Sequence, residues 1–335
     1  IGGGSIGDSW RVGLASGETY FVKHYPAGPD EIAQAEAAGL GWLQEAGTLK
    51  TARVIAVSSE SPLLILDWIE AGAPTQDFAE QLGAGLARLH AFGAPGFGFP
   101  ENNFIGSLPQ DNEACEHWHD FYAYRRIEPL LRQARDAQAL PAGPATEASR
   151  LLERFEDLCG PREAPARLHG DLWGGNLMVG PRGEPVLIDP AVYGGSREMD
   201  LAMMRLFGGF PERTFSAYAN EFPLAEETDG RVLLYQLYPL LVHVVLFQGG
   251  YVDQFAAADG AGEIDGQASG GSIAARCAHL RYGVRGGDIQ CRAIDHGFDK
   301  AEIAGRLEGN ALESSWRRAR AQIVTELAFD ARLYL

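Results

Sequence analysis

Two aspartates and one asparagine stand at spacings suited to moving a phosphoryl group. In Leu168-His169-Gly170-Asp171-Leu172-Trp173-Gly174-Gly175-Asn176, four residues separate Asp171 from Asn176. Asp189 follows thirteen residues after Asn176, closing the short apolar run Val186-Leu187-Ile188. In a phosphoryl transferase one Asp accepts the proton of the attacking hydroxyl, while an Asn and a later Asp hold Mg²⁺ against the nucleotide phosphates. Asp171 is thus the candidate catalytic residue, and Asn176 and Asp189 are the candidate metal ligands. ATP and Mg²⁺ are the cofactors these residue types imply.

Such a loop needs a nucleotide-binding half, and residues 1–72 have the pattern of one. Gly2, Gly3, Gly4 and Ser5 precede a strand over residues 10–14, and Ser16-Gly17 turns the chain into a second strand, Tyr20-Phe21-Val22-Lys23-His24-Tyr25. Glycines let backbone N–H groups approach phosphates closely. A glycine run is weak evidence by itself, and its weight comes from Lys23, placed where a phosphate-binding lysine is expected. The spacing predicts a helix over residues 30–46, with Ile32, Glu36, Leu40 and Leu43 on one stripe. Glu36 on an apolar face is costly without a partner. Alone it reads as a stripe-edge carboxylate reaching solvent; beside the catalytic loop, a Lys23–Glu36 pair is the favoured reading. Residues 53–57 and 63–68 read as two further strands completing an antiparallel sheet. Asp67, Trp68, Ile69 and Glu70 then form a hinge whose backbone would meet adenine. The chain begins as if inside its own motif, so the expectation is that the nucleotide lobe is truncated at its start.

Composition bounds the rest. With 335 residues, 46% hydrophobic and 22% charged, the chain has the makeup of one or two globular domains. A net charge of −17 argues against a nucleic-acid partner. No run approaches eighteen apolar residues, so no membrane partner is expected. The four cysteines, Cys115, Cys159, Cys277 and Cys291, form no CxxC pair and read as free thiols. With no secretory signal visible, a cytoplasmic location is expected.

Residues 73–255 read as a helical catalytic and substrate lobe. Phe78, Leu82, Leu86 and Leu89 mark a helix ending near His90, which reads as a packing or helix-end histidine. Residues 93–109 look irregular and carry Phe97, Phe99 and Phe104. A helix over 114–137 holds His117 and His119, whose spacing of two puts them on different faces. Further helices are expected at 145–159, 200–207, 211–222 and 228–248. His169 and Asp200 are candidates for structural support, Asp200 either capping its helix or bracing the catalytic loop. Residues 256–272 read as a linker, and residues 273–335 as a helical extension without an assigned role.

The runs His169-Gly170-Asp171-Leu172-Trp173-Gly174-Gly175-Asn176, Ile188-Asp189-Pro190-Ala191-Val192-Tyr193 and Arg197-Glu198-Met199-Asp200-Leu201-Ala202-Met203 together resemble the fructosamine/ketosamine-3-kinase family. Leu206-Phe207-Gly208-Gly209-Phe210, Glu36-Ala37-Ala38-Gly39-Leu40 and Arg53-Val54-Ile55-Ala56-Val57 fit the same pattern, and the likeness covers residues 1 to about 255. The resemblance implies an α+β, bilobal, protein-kinase-like fold of the aminoglycoside-phosphotransferase and choline-kinase branch. The small antiparallel-sheet lobe would carry one helix, and the larger lobe would be mainly helical. It implies ATP-dependent phosphorylation of the 3-hydroxyl of free or protein-bound ketosamines, a deglycation activity because the phosphorylated adduct falls apart. It also implies that Trp173 and Tyr193 line the sugar site. The chain departs from the family in carrying Gly194 where a second tyrosine is common. The competing expectations are a kinase for an aminoglycoside, choline or a plain sugar, and a nucleotide-binding module without catalysis.

Overall fold

The computed structural model describes residues 7–14, 17–58, 62–247 and 251–260. The glycine-rich candidates Gly2, Gly3, Gly4 and Ser5, residues 261–272 and the expected extension at 273–335 lie outside the described residues. The described chain forms two compact units, one of residues 7–34 with 54–68 and the other of residues 35–53 with 69–260.

In chain order the first elements are β1 (Asp8–Gly13), β2 (Thr19–His24), α1 (Ile32–Glu45), β3 (Lys50–Thr51), β4 (Val54–Val57) and β5 (Leu63–Asp67). In the first unit four strands form an antiparallel sheet in the order β1-β2-β5-β4. Alternation along β2 sends Val22 into a small core with Leu63 and Ile65, against which Trp10, Val12 and Ile55 pack. Lys23 falls on the opposite face of β2, with Ser9 and Leu64 as its register partners.

The second unit adds α2 (Phe78–Phe92), the hairpin β6 (Asn103–Ile105) and β7 (Leu108–Gln110), and α3 (Trp118–Asp120). A π-helical segment, Phe121–Ile127, leads from α3 directly into α4 (Glu128–Asp136). Then come α5 (Ala142–Glu153), α6 (Phe155–Leu158), β8 (Ala166–Leu168), a 3₁₀ turn (Gly174–Asn176), β9 (Leu177–Val179), β10 (Pro185–Leu187) and β11 (Tyr193–Gly195). Four helices close the described chain: α7 (Glu198–Phe207), α8 (Glu212–Glu221), α9 (Thr228–Phe247) and α10 (Tyr251–Gly260). The apolar stripe of α2 supplies Leu82, Leu86 and Leu89 to a core shared with Trp42 and Leu43 of α1, Leu201 and Met204 of α7, and Phe215 and Tyr218 of α8. A larger core gathers Phe121, Tyr122 and Leu131 against Tyr235, Leu237 and Leu241 of α9 and Phe255 of α10. By length and composition alone α9 could cross a membrane, at a mean hydropathy of 1.5 over its most apolar window. More than half of that window, 56%, is buried by the protein itself, as in a core helix.

Arg167 of β8 fastens α1 into this unit. Its guanidinium carbon lies 4.4 Å from the centre of the Trp42 ring and 4.5 Å from that of Phe92. It donates to the carbonyls of Trp42 and Gly93 and to Glu45 Oε2 at 3.0 Å. Guanidinium planes stack on aromatic faces while their edges donate, so one side chain serves both purposes.

Several sequence-based boundaries move. Residues 35–53 group with the second unit, and the division near the hinge falls between Trp68 and Ile69 rather than at residue 72. The reason is local: Gly72 N–H donates to Val179 O at 3.1 Å and Thr75 N–H to Gly183 O at 3.2 Å, stitching residues 72–75 onto the β9–β10 turn. The stretch expected to be irregular contains the β6–β7 hairpin, turned at Gly106 with φ +59°. The expected linker start at residue 256 lies inside α10, whose Phe255 and Ala258 are buried. His117 precedes α3 in extended backbone, so its ring and that of His119 stack at 5.3 Å instead of pointing apart.

Candidate active site

Two short pairings bring the chemistry-bearing residues together. β8 pairs antiparallel with β11, so the chain leaves Leu168 opposite Tyr193 and enters His169-Gly170-Asp171. β9 pairs antiparallel with β10, setting Leu177 opposite Leu187, so Asn176 and Ile188 leave the hairpin side by side. Ile188 N–H donates to Asn176 O at 3.1 Å. The Asn176 amide nitrogen then donates to Asp171 Oδ2 and to Asp171 O, both at 2.8 Å, and to Asp189 O at 3.4 Å. With its nitrogen committed to Asp171, Asn176 is left with Oδ1 as an acceptor for a cation.

The loop carrying Asp171 is held from beneath by Asp200. This buried carboxylate accepts His169 N–H at 2.8 Å and Gly170 N–H at 2.9 Å, and His90 Nε2 lies 3.1 Å from it. His90 Nδ1 accepts the Tyr218 hydroxyl at 2.8 Å. Burial works to raise the pKa of Asp200, but the His90 bond, the His90 and His169 rings and the Gly170 N–H outweigh it and hold the carboxyl below its ordinary value. No side-chain bond caps the start of α7, so Asp200 acts as a brace and not as a helix cap. Gly170 is obligatory: its φ is +81°, and a Cβ there would lie 2.0 Å from Ala191 O.

His169 has a defined tautomer. Asp171 N–H donates to Nδ1 at 3.2 Å, which must therefore be unprotonated, while Nε2–H donates to Ile188 O at 2.9 Å. Burial lowers the His169 pKa, in keeping with a neutral ring. His169 thus ties the Asp171 loop to the strand leading into Asp189. Asp171 itself is pushed up to about 7, mainly by burial and further by the negative charges of Asp189 and Asp200, against the opposing Asn176 bond. A carboxylate so raised marks a place prepared for a cation.

Trp173 and Tyr193 have different fates. Trp173 is 42% exposed, its ring edge-on to Phe207 at 6.2 Å and lying over Gly175, where a Cβ would meet the indole at 2.3 Å. Tyr193 is fully buried, its ring 5.6 Å from Phe121 and 4.1 Å from the Arg126 guanidinium. Tyr193 thus lies in the core of the second unit, whereas Trp173 reaches the surface.

In the first unit, the Lys23 ammonium lies 5.8 Å from the centre of the Tyr25 ring. The Trp68 ring packs 6.3 Å from Phe21 with Arg11 above it at 4.7 Å, and Asp67 pairs with Tyr20 at the end of β5. In the second unit Glu36 is half-buried in α1, Ile69 is half-buried and Glu70 is exposed. Tyr218, the amides of the β6–β7 hairpin and the partners of His90, read from sequence as a packing or helix-end histidine, escaped the sequence reading. His90 follows Leu86 and Leu89 on a buried stripe, where a titratable ring needs a partner, and that signal was present. The hairpin was signalled by Gly106-Ser107 between two short runs.

Asn176 Oδ1 and the Asp189 carboxylate are hard oxygen donors, as Mg²⁺ requires, and Mg²⁺ is commonly held by one or two protein oxygens with substrate phosphates completing its shell. Among the described residues no group of three or more His, Cys, Asp or Glu is placed to bind a metal alone. The donor set therefore fits a nucleotide-associated Mg²⁺ and not a permanently caged ion.

A small antiparallel sheet, a mainly helical second unit and a candidate catalytic Asp linked to an Asn and a second Asp define a phosphotransferase of the protein-kinase-like α+β class. The solved choline kinase LicA of Streptococcus pneumoniae shares this fold, with a TM-score of 0.51 at 15% identity over 76% of this chain and 88% of that one. The chain belongs to the fructosamine kinase family, whose family model matches residues 1–258. It is 38% identical to the probable ketoamine kinase slr1563 of Synechocystis over 259 residues, 76% of this chain and 86% of the relative. A Thermobifida fusca crystal structure assigned to the fructosamine-3-kinases superposes with a TM-score of 0.73 at 39% identity, covering 78% of this chain and 91% of that one.

Proposed function

We propose that the protein transfers the γ-phosphoryl group of ATP to the 3-hydroxyl of ketosamines, free or protein-bound. The observation that carries this reading is the hydrogen-bonded cluster of Asp171, Asn176 and the Asp189 backbone. Asp171 accepts the proton of the sugar hydroxyl as the new P–O bond forms, and it must be ionised to do so. Asn176 Oδ1 and Asp189 hold Mg²⁺, which neutralises phosphate charge when bound and favours the Asp171 carboxylate. Lys23 takes the α- and β-phosphates, and the backbone of residues 67–70 meets adenine. Exposed Trp173 offers its face to the sugar. The free thiols of Cys115 and Cys159 support a cytoplasmic setting.

The test is ATP consumption with Mg²⁺ across fructosamines, ribulosamines, choline and aminoglycosides. Turnover confined to ketosamines, with phosphate at O3 by NMR, is expected. Turnover of choline or an aminoglycoside in preference would overturn the substrate assignment.

A further inference from the structure

Asp189 has φ +53°, a left-handed conformation that a non-glycine residue keeps only when its surroundings enforce it. Its neighbours do not lie in regular structure: β10 ends at Leu187 and β11 begins at Tyr193. Main-chain partners account for two N–H groups here, Ile188 N–H donating to Asn176 O at 3.1 Å and Ala191 N–H to His169 O at 2.9 Å. His169 and Asn176 take the carbonyls of Ile188 and Asp189, and those of Ala191 and Val192 are taken by side-chain amides from the β6–β7 hairpin. Asn103 Nδ2 donates to Val192 O at 2.7 Å and Gln110 Nε2 to Ala191 O at 3.3 Å.

These amides are oriented by a chain of bonds with only one consistent direction. Arg126, in the π-helical segment, is buried and can only donate, and its Nη2 binds Asn112 Oδ1 at 2.6 Å. The Asn112 nitrogen must then face Asn103 Oδ1, at 2.8 Å. That leaves the Asn103 nitrogen to face Val192 O. Gln110 Nε2 also donates to Asn103 Oδ1 at 2.9 Å, and its own Oε1 accepts the Tyr238 hydroxyl at 2.5 Å. Arg126 has no carboxylate partner among the described ion pairs. Its other bonds go to the carbonyls of Asp111 and Arg125, and the rings of Phe121, Tyr193 and Tyr238 surround it. A cation at one end of such a chain polarises every amide towards the carbonyls at the other end.

We propose that Asn103 and Gln110, oriented by Asn112, Arg126 and Tyr238, are positioning residues that fix the backbone after Asp189 and so aim its carboxylate at the metal. The proposal rests on Asp189 being a metal ligand. Residues that orient a metal ligand commonly change metal affinity by about 10–100-fold when altered.

Gln110→Glu tests it, because this change keeps the acceptor for Tyr238 and replaces the donor facing Ala191 and Asn103 with oxygen. The readout is Mn²⁺ binding by electron paramagnetic resonance on the full chain with a non-hydrolysable ATP analogue, alongside kinetics at varied Mg²⁺. The Mn²⁺ dissociation constant is expected to rise about 10-fold or more. KM for the ketosamine should stay near wild type, and turnover should recover at high Mg²⁺. A merely structural role would lower the melting temperature but leave the metal affinity of the folded protein alone. Tyr238→Phe, which keeps the ring beside Arg126 and removes one tether on Gln110, should shift Mn²⁺ affinity in the same direction by less. Asp189→Asn is the reference. If it weakens Mn²⁺ binding while folded Gln110→Glu binds Mn²⁺ like wild type, the clamp is overturned and the metal site stands. If Gln110→Glu does not fold, wild-type Mn²⁺ affinity in Tyr238→Phe overturns the clamp instead. If Asp189→Asn also binds Mn²⁺ normally, the metal reading falls and the proposal with it.

Discussion

Asp171 and Trp173 are two residues apart and are held in opposite ways. Asp171 lies between Asn176, the His169 ring and a loop pinned by buried Asp200, each through hydrogen bonds of 2.8–3.2 Å. Trp173 stands 42% exposed, with an edge contact to Phe207 and a glycine beneath it. The reacting group is over-determined, whereas the proposed sugar contact is free to adjust. Rigid placement of the chemistry beside an adaptable recognition surface is what an enzyme for one hydroxyl on varied amines requires.

The largest test of that contrast is Asp171→Asn. Turnover should fall by about 10²–10⁴-fold, read from steady-state ATP consumption. The same variant should be more stable than wild type in metal-free buffer at pH 8. The sign follows from the raised pKa: near 7 in the fold against 3.8 unfolded, the native state favours the protonated acid. Wild type therefore loses stability as pH rises from about 4 through about 7, and a neutral amide does not. Equal melting temperatures at pH 8 would show that Asp171 is not strained in the folded state.

Trp173→Ala probes the adjustable side. KM for ketosamines should rise about 10-fold, or ~1.4 kcal/mol, with little change in turnover or melting temperature. A collapse of turnover with unchanged KM would mean that Trp173 belongs to the rigid half after all.

The smallest effect is expected at Lys50 and Glu184, a pair across the β3–β10 contact with N···O 2.6 Å. The Lys50 bond, with backbone donors, holds Glu184 down to about 2. Its contribution is therefore present above pH 4.5 and lost as pH falls towards 2. Lys50→Met should lower the melting temperature slightly at pH 6, and the difference from wild type should vanish near pH 2. A difference that persists at pH 2 would assign the loss to packing of the lysine stem.

What the sequence disclosed follows the same contrast. Stripes such as Phe78, Leu82, Leu86 and Leu89 are periodic, so α2 was legible to within a residue. The spacing of Asp171, Asn176 and Asp189 was legible because phosphoryl transfer constrains residue types. His169 and Asp200 were legible as supports, but their partners were not, because these depend on contacts distant in sequence: His90 meets Asp200 across 110 residues and Asn103 meets Val192 across 89. The full burial of Tyr193 was not legible, because tyrosine suits a core and a binding wall equally. β3, two residues long, exists through its pairing with β10 and carries no periodicity to detect.

The anchoring of α1 by Arg167 bears on how such an enzyme is governed. Kinases that are switched on and off commonly do so by swinging the helix that bears the glutamate partner of the phosphate-binding lysine. In α1, which carries the candidate glutamate Glu36, Trp42 and Leu43 lie in the same core as α2, α7 and α8, and a stacked guanidinium locks the helix end to β8. A helix end held in this way by packing, ring stacking and an ion pair can move only if all three break together.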